Sequence, residues 1–114
     1  MPMSKRFQDD LAAAIPDAVG LFGTPFHIYD EAGILETGAR VKEAFAKLPG
    51  FREYFAVKAL PRKRILKLMR DMGFGFDCSS VVELQLANMA GGFEHDIMFT
   101  SNNTTEEEFA ATGA

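Results

Sequence analysis

At 114 residues, with 47% hydrophobic and 25% charged side chains, the chain is ordinary globular material, enough for one small domain and too apolar for a disordered segment. A net charge of -4 argues against a nucleic-acid or anionic-membrane surface, and no apolar run approaches the about 18 residues that a membrane span needs. The single cysteine, Cys78, has no partner for an internal disulfide, and Met1 to Arg6 leads into Asp9 and Asp10, not into an apolar signal core. The expectation is therefore a soluble, cytoplasmic protein with neither a nucleic-acid nor a membrane partner.

In chain order, Phe7, Leu11 and Ile15 recur every four residues, which predicts a short amphipathic helix stopped by Pro16. Gly23-Thr24-Pro25 is a turn and Phe26 to Tyr29 reads as a strand. Asp30 is a suitable N-cap for a helix over 31–48 that has Ile34, Val41, Phe45 and Leu48 on one stripe and ends at Pro49-Gly50. Tyr54 to Ala59 is apolar on both alternating faces, the pattern of a strand buried on two sides in a parallel sheet. Lys58 interrupts it near its end. A buried ammonium is costly, so this lysine reaches solvent, pairs with an acid, or serves as a nucleophile; from the pattern alone, a strand end emerging into water is the simplest of these.

Pro61 suits the first turn of a helix whose apolar face is Ile65, Leu66, Leu68, Met69 and Met72 and whose stop is Gly73. Arg62, Lys63, Arg64 and Lys67 form its solvated side. Phe74 to Cys78 is a second buried strand. Ser80 and Glu83 form a capping box for a helix through Ala90 that ends at Gly91-Gly92, Ile97 to Thr100 is a third strand, and Thr105 with Glu108 is a second capping box. The alternation of strand and helix predicts an α/β fold with right-handed crossovers and a parallel sheet. A closed eight-stranded barrel needs about 250 residues, so the chain reads as a fragment, with Leu66, Met69, Leu84 and Phe99 expected to lack partners and to promote association. A small doubly wound domain is the alternative, but no Gly-x-Gly-x-x-Gly follows the first strand.

Three separated motifs, Thr24-Pro25-Phe26-His27-Ile28-Tyr29-Asp30, Phe55-Ala56-Val57-Lys58-Ala59, and Gly75-Phe76-Asp77-Cys78-Ser79-Ser80 with Glu83-Leu84, resemble the N-terminal part of the pyridoxal-phosphate-dependent amino-acid decarboxylases of the ornithine/diaminopimelate decarboxylase family. The likeness runs from about Thr24 to Phe109. It implies the N-terminal part of a (β/α)8 barrel, truncated after about three βα units, with residues 1–30 belonging with a C-terminal β domain and 31–114 opening the barrel. It implies pyridoxal 5'-phosphate as cofactor, Lys58 as the catalytic, cofactor-linking lysine, Ala56 as the small residue beneath the cofactor, and Asp77 close to both. The structural alternative for Asp77 is a strand-end acid capping the Cys78-Ser79 turn. Ser80 and Glu83 are explained by capping, and Cys78 by packing.

The implied activity is decarboxylation of meso-2,6-diaminopimelate to L-lysine by a homodimeric parent enzyme, with these residues alone inactive. An ornithine- or arginine-type decarboxylase, a racemase of the same fold, and a non-catalytic barrel homologue acting as an interaction protein would share the same motifs. Leu60 stands where the family commonly has Asn, and Ser101-Asn102-Asn103-Thr104 where it has a Gly-rich turn with a lysine; both departures bear on the substrate. The family's phosphate loop, pyridine-nitrogen partner and ring-facing histidine are not among these motifs. His27 and His95 match none of these and are read as surface or packing residues, with no metal site expected.

Overall fold

The computed structural model describes residues 5–113, which fall into two compact units that divide between Ala44 and Phe45. In the first unit, a π-type helical turn over Phe7–Leu11 and a 3-10 turn over Ala12–Ala14 lead into α1, Ile15–Phe22. Pro16 begins this helix and does not stop the preceding one: in the first turn its missing N–H has no intrahelical partner to lose. Gly23 ends α1 with φ of 71°, its N–H donating to the Val19 carbonyl at 2.9 Å.

Phe26 to Tyr29 is extended but joins no ladder among the described residues, so the strand expected there is not formed. The stacking of the His27 and Tyr29 rings, with centroids 6.2 Å apart, still reflects the two-residue alternation that suggested it. Asp30 caps α2, Glu31–Ala44, by accepting the Gly33 N–H on Oδ1 at 3.0 Å.

In the second unit, residues 45–50 make turns where the sequence suggested more helix. Leu48 donates to the Phe45 carbonyl and Phe51 to that of Leu48, and the Phe45 and Phe51 rings stack at 4.4 Å. Pro49 disfavours helical geometry at Leu48; Phe45 and Leu48, expected on a buried stripe, are exposed.

Three parallel strands follow in the order β1 (Tyr54–Ala56), β2 (Gly75–Cys78), β3 (Ile97–Phe99). Each is shorter than the range expected from the sequence. The register sets Tyr54, Phe55 and Ala56 beside Gly75, Phe76 and Asp77, and Phe76, Asp77 and Cys78 beside Ile97, Met98 and Phe99. Between the strands run α3 (Lys63–Asp71) and α4 (Val81–Met89), and α5 (Glu106–Thr112) closes the described chain.

Both crossover helices end in the same hydrogen-bonded motif. After α3, Phe74 N–H bonds the Met69 carbonyl and Gly73 N–H that of Arg70, with Gly73 at φ of 83°. After α4, Gly92 bonds Ala87 and Gly91 bonds Asn88, with Gly91 at φ of 90°. A residue with a Cβ is strained at such φ, which is why glycine stands at both stops.

The core is the layer between the helices and one face of the sheet: Val57, Ile65, Leu66, Leu68, Met69, Phe74, Phe76, Cys78, Leu84, Ala87 and Ala90. Leu66, Met69 and Leu84, expected to lack partners, are buried in this layer, and Phe99 is half-buried. The helices' apolar stripes therefore cover one another and the sheet. The strands are not buried on both faces either: Ala56 and Asp77 are half-buried, and Met98 beside Asp77 is 51% exposed.

The entrance to the sheet is held by an arginine. Arg52, just before β1, pairs with Asp96, just before β3, donates to the His95 carbonyl at 2.9 Å and sits over the Tyr54 ring, 5.3 Å from its centroid. This bridge crosses the start of β2 at Gly75, where a Cβ would lie 2.5 Å from Tyr54 Cδ1 and 2.7 Å from the Asp96 carbonyl oxygen. The hydrogen bond from Arg52 holds the Asp96 carboxyl below the usual carboxylate range. A depressed carboxylate pKa contributes stability above the unfolded value of about 3.9 that disappears as pH falls through the folded value. Arg52→Ala is therefore expected to be less stable than the parent at about pH 6, with the gap narrowing towards about pH 3, as read by urea unfolding at both. A gap that stays constant with pH would contradict an ionic contribution from Asp96.

Candidate functional site

Lys58 follows β1 in a 3-10 turn, Val57–Ala59, that opens where the sequence suggested the strand would continue. Val57 turns fully into the core while Lys58 is exposed, and Lys58 makes no hydrogen bond or ion pair among the described residues. The position follows from the local chain: β1 ends at Ala56, and Leu60 N–H closes the turn on the Val57 carbonyl at 3.2 Å. Lys58 thus lies beyond the C-terminal end of the first parallel strand, the end at which parallel α/β sheets carry their sites.

Ala56 and Asp77 are register partners and so lie side by side on the same sheet face, opposite to that of Phe76 and Cys78. Asp77 does not cap the Cys78-Ser79 turn. Its Oδ1 accepts a hydrogen bond from Thr100 Oγ1 at 2.8 Å, and the Thr100 backbone N–H donates to the Cys78 carbonyl at 2.8 Å. Thr100 was the overlooked member of this group. The register explains its place, since Thr100 lies two residues beyond Met98, the partner of Asp77, and so returns to the same face.

Next along the chain, Ser80 Oγ accepts the Glu83 N–H at 3.3 Å, while Glu83 Oε2 accepts the Ser79 N–H at 2.9 Å. The reciprocal bond of this capping box thus goes one residue upstream of the N-cap, whereas the Thr105 and Glu108 box is complete. Cys78 is fully buried, and burial first, then the charges of Glu83 and Asp77, push its thiol up to about 12. At neutral pH it is a packed thiol and not a nucleophile. His95 is exposed and stacks on Phe93, His27 stacks on Tyr29, and no group of three metal-ligating side chains occurs among the described residues.

Among the described residues, Lys58 has no hydrogen-bond or ion-pair partner, and Asp77, which shares its sheet face with Ala56, uses one carboxylate oxygen on Thr100. The family model described as "Pyridoxal-dependent decarboxylase, pyridoxal binding domain" matches residues 32–112. Protein TabA of Pseudomonas amygdali pv. tabaci is 49% identical over 109 residues, covering 96% of this chain and 26% of that protein. The diaminopimelate decarboxylase of Campylobacter jejuni subsp. jejuni is 37% identical over 87 residues, or 76% of this chain and 21% of that protein.

Among solved structures, the diaminopimelate decarboxylase from M. jannaschi superposes with a TM-score of 0.79 at 29% identity, covering 84% of this chain and 23% of that one. The fold is the opening portion of a pyridoxal-phosphate barrel. The chain belongs to the pyridoxal-dependent decarboxylase family, whose cofactor is pyridoxal phosphate. It spans about a quarter of the length of the curated relatives it matches.

Proposed function

We propose that these residues act as the opening part of a longer pyridoxal-phosphate-dependent amino-acid decarboxylase in which Lys58 is joined to the cofactor and Ala56 and Asp77 border it. The observation that carries this reading is the match of the pyridoxal-binding family model across Lys58, whose exposed side chain has no hydrogen-bond or ion-pair partner among the described residues just beyond β1. Its amine can reach an aldehyde without first leaving an ion pair. Ala56 contributes only a methyl group to the face it shares with Asp77, and so leaves room there for a flat ring. Asp77 offers a carboxylate that can accept a proton-bearing group of the cofactor or the lysine ammonium. Bound pyridoxal phosphate supplies a ring that takes up the electron pair left when the substrate carboxylate departs as carbon dioxide.

The substrate reading is meso-2,6-diaminopimelate, converted to L-lysine, and it is supported by the relatives that carry the name diaminopimelate decarboxylase. The domain assignment, 1–30 with a C-terminal β domain and 31–114 in the barrel, is supported by a family match that begins at residue 32. Homodimeric assembly and a cytoplasmic location complete the proposal and rest on the family resemblance. Carbon dioxide release by the holoenzyme from meso-diaminopimelate, ornithine and arginine tests it. The expected result is release from meso-diaminopimelate foremost, with none from the 114 residues alone. A preference for ornithine or arginine would overturn the substrate, and no release from any of the three would overturn decarboxylation itself.

A further inference from the structure

Asp77 is held by a residue from the next strand connection. Thr100 directly follows β3, and its backbone N–H is fixed to the Cys78 carbonyl at 2.8 Å, so its side chain starts from a locked position beside the end of β2. From there Oγ1 donates to Asp77 Oδ1 at 2.8 Å. Oδ2 has no protein partner among the described residues. A hydroxyl bound to one carboxylate oxygen limits rotation of the group, so the second oxygen is presented in one direction on the face shared with Ala56.

We propose that Thr100 is a positioning residue: its hydroxyl orients the Asp77 carboxylate so that Oδ2 is the oxygen offered to the cofactor or to the Lys58 amine. The inference rests on the cofactor reading of Lys58. It separates two parts of the threonine. The backbone N–H completes the β2–β3 connection, and any residue but proline supplies it. Among the described residues the hydroxyl bonds Asp77 alone, and serine is the substitution that keeps a hydroxyl on Cβ.

The test is the rate at which the full-length enzyme, stripped of cofactor, becomes joined to pyridoxal phosphate at Lys58, trapped with borohydride and quantified by peptide mass, alongside kcat and KM. Thr100→Val, close in shape but without a donor, is expected to slow attachment roughly tenfold, as loss of a hydrogen bond to a charged group implies, and to lower kcat more than it changes KM. Thr100→Ser is expected to restore both. In an Asp77→Ala background, which removes the acceptor, Thr100→Val is expected to add little, because the two side chains act as one unit. Thermal unfolding of each variant identifies any loss due to misfolding. Attachment by Thr100→Val at the parent rate, a serine variant as slow as the valine one, or fully additive effects with Asp77→Ala would each overturn the inference. Absence of attachment at Lys58 in the parent protein would instead overturn the cofactor reading, and this inference with it.

Discussion

In the holoenzyme, Lys58→Ala is expected to abolish covalent attachment of pyridoxal phosphate and to lower turnover by several orders of magnitude, because in the proposed function both cofactor placement and the exchange of substrate onto the cofactor depend on that amine. Folding is expected to be nearly unaffected. Lys58 is exposed and makes no ion pair or hydrogen bond among the described residues, so its removal changes stability by less than about 0.5 kcal/mol, the range typical of surface substitutions. Lys63→Ala and Lys67→Ala, both on the exposed side of α3, serve as controls and are expected to retain attachment and turnover. The measurements are the cofactor absorbance band after removal of free pyridoxal phosphate, carbon dioxide release, and thermal unfolding without cofactor.

The largest loss of stability is expected at Phe76. It is fully buried at the centre of the middle strand, between register partners Phe55 and Ile97, and its ring lies so close to Gly92 that a Cβ there would sit 2.8 Å from Phe76 Cδ2. Truncation to Ala removes the ring from a packed layer and leaves a cavity, a change that costs about 3–5 kcal/mol. Phe76→Leu keeps part of the volume and is expected to lose less. Urea unfolding of the two variants checks the order, and a Phe76→Ala loss below about 1 kcal/mol would mean that the layer relaxes around the gap.

What could be read in the sequence was mostly what neighbours in the chain decide. The caps at Asp30, Ser80 and Thr105 and the glycine stops at Gly73 and Gly91 depend on residues within a turn of each other, and all five form. Pro16 was misread because proline marks both the end of one helix and the first turn of the next, and only the course of the following residues separates the two.

Strand ends were harder to place, since a strand exists only where a partner is hydrogen-bonded to it. Phe26 to Tyr29 has the right residues and no ladder among the described residues, and β1 stops at Ala56 although its apolar run continues to Val57. The two contacts that shape the ends of the sheet join residues far apart in sequence. Arg52 meets Asp96 at a separation of 44, and Thr100 meets Asp77 at 23. No local spacing announces either pair; the register makes both intelligible. Lys58 lies between these cases. Composition and alternation left it as a strand end reaching water, and its exposure in the structure agrees with that reading as well as with a nucleophile. Only its place in a motif, in a chain of this family, favours the second.

The claim on which the account depends is therefore the identity of the lysine joined to the cofactor. Borohydride reduction of the holoenzyme followed by peptide mass mapping measures it directly, because reduction makes the link permanent on whichever lysine carries it. The account predicts one pyridoxyl group per chain, on the peptide containing Lys58, with Lys63 and Lys67 unmodified. A pyridoxyl group found on another lysine, with Lys58 unmodified, would contradict it.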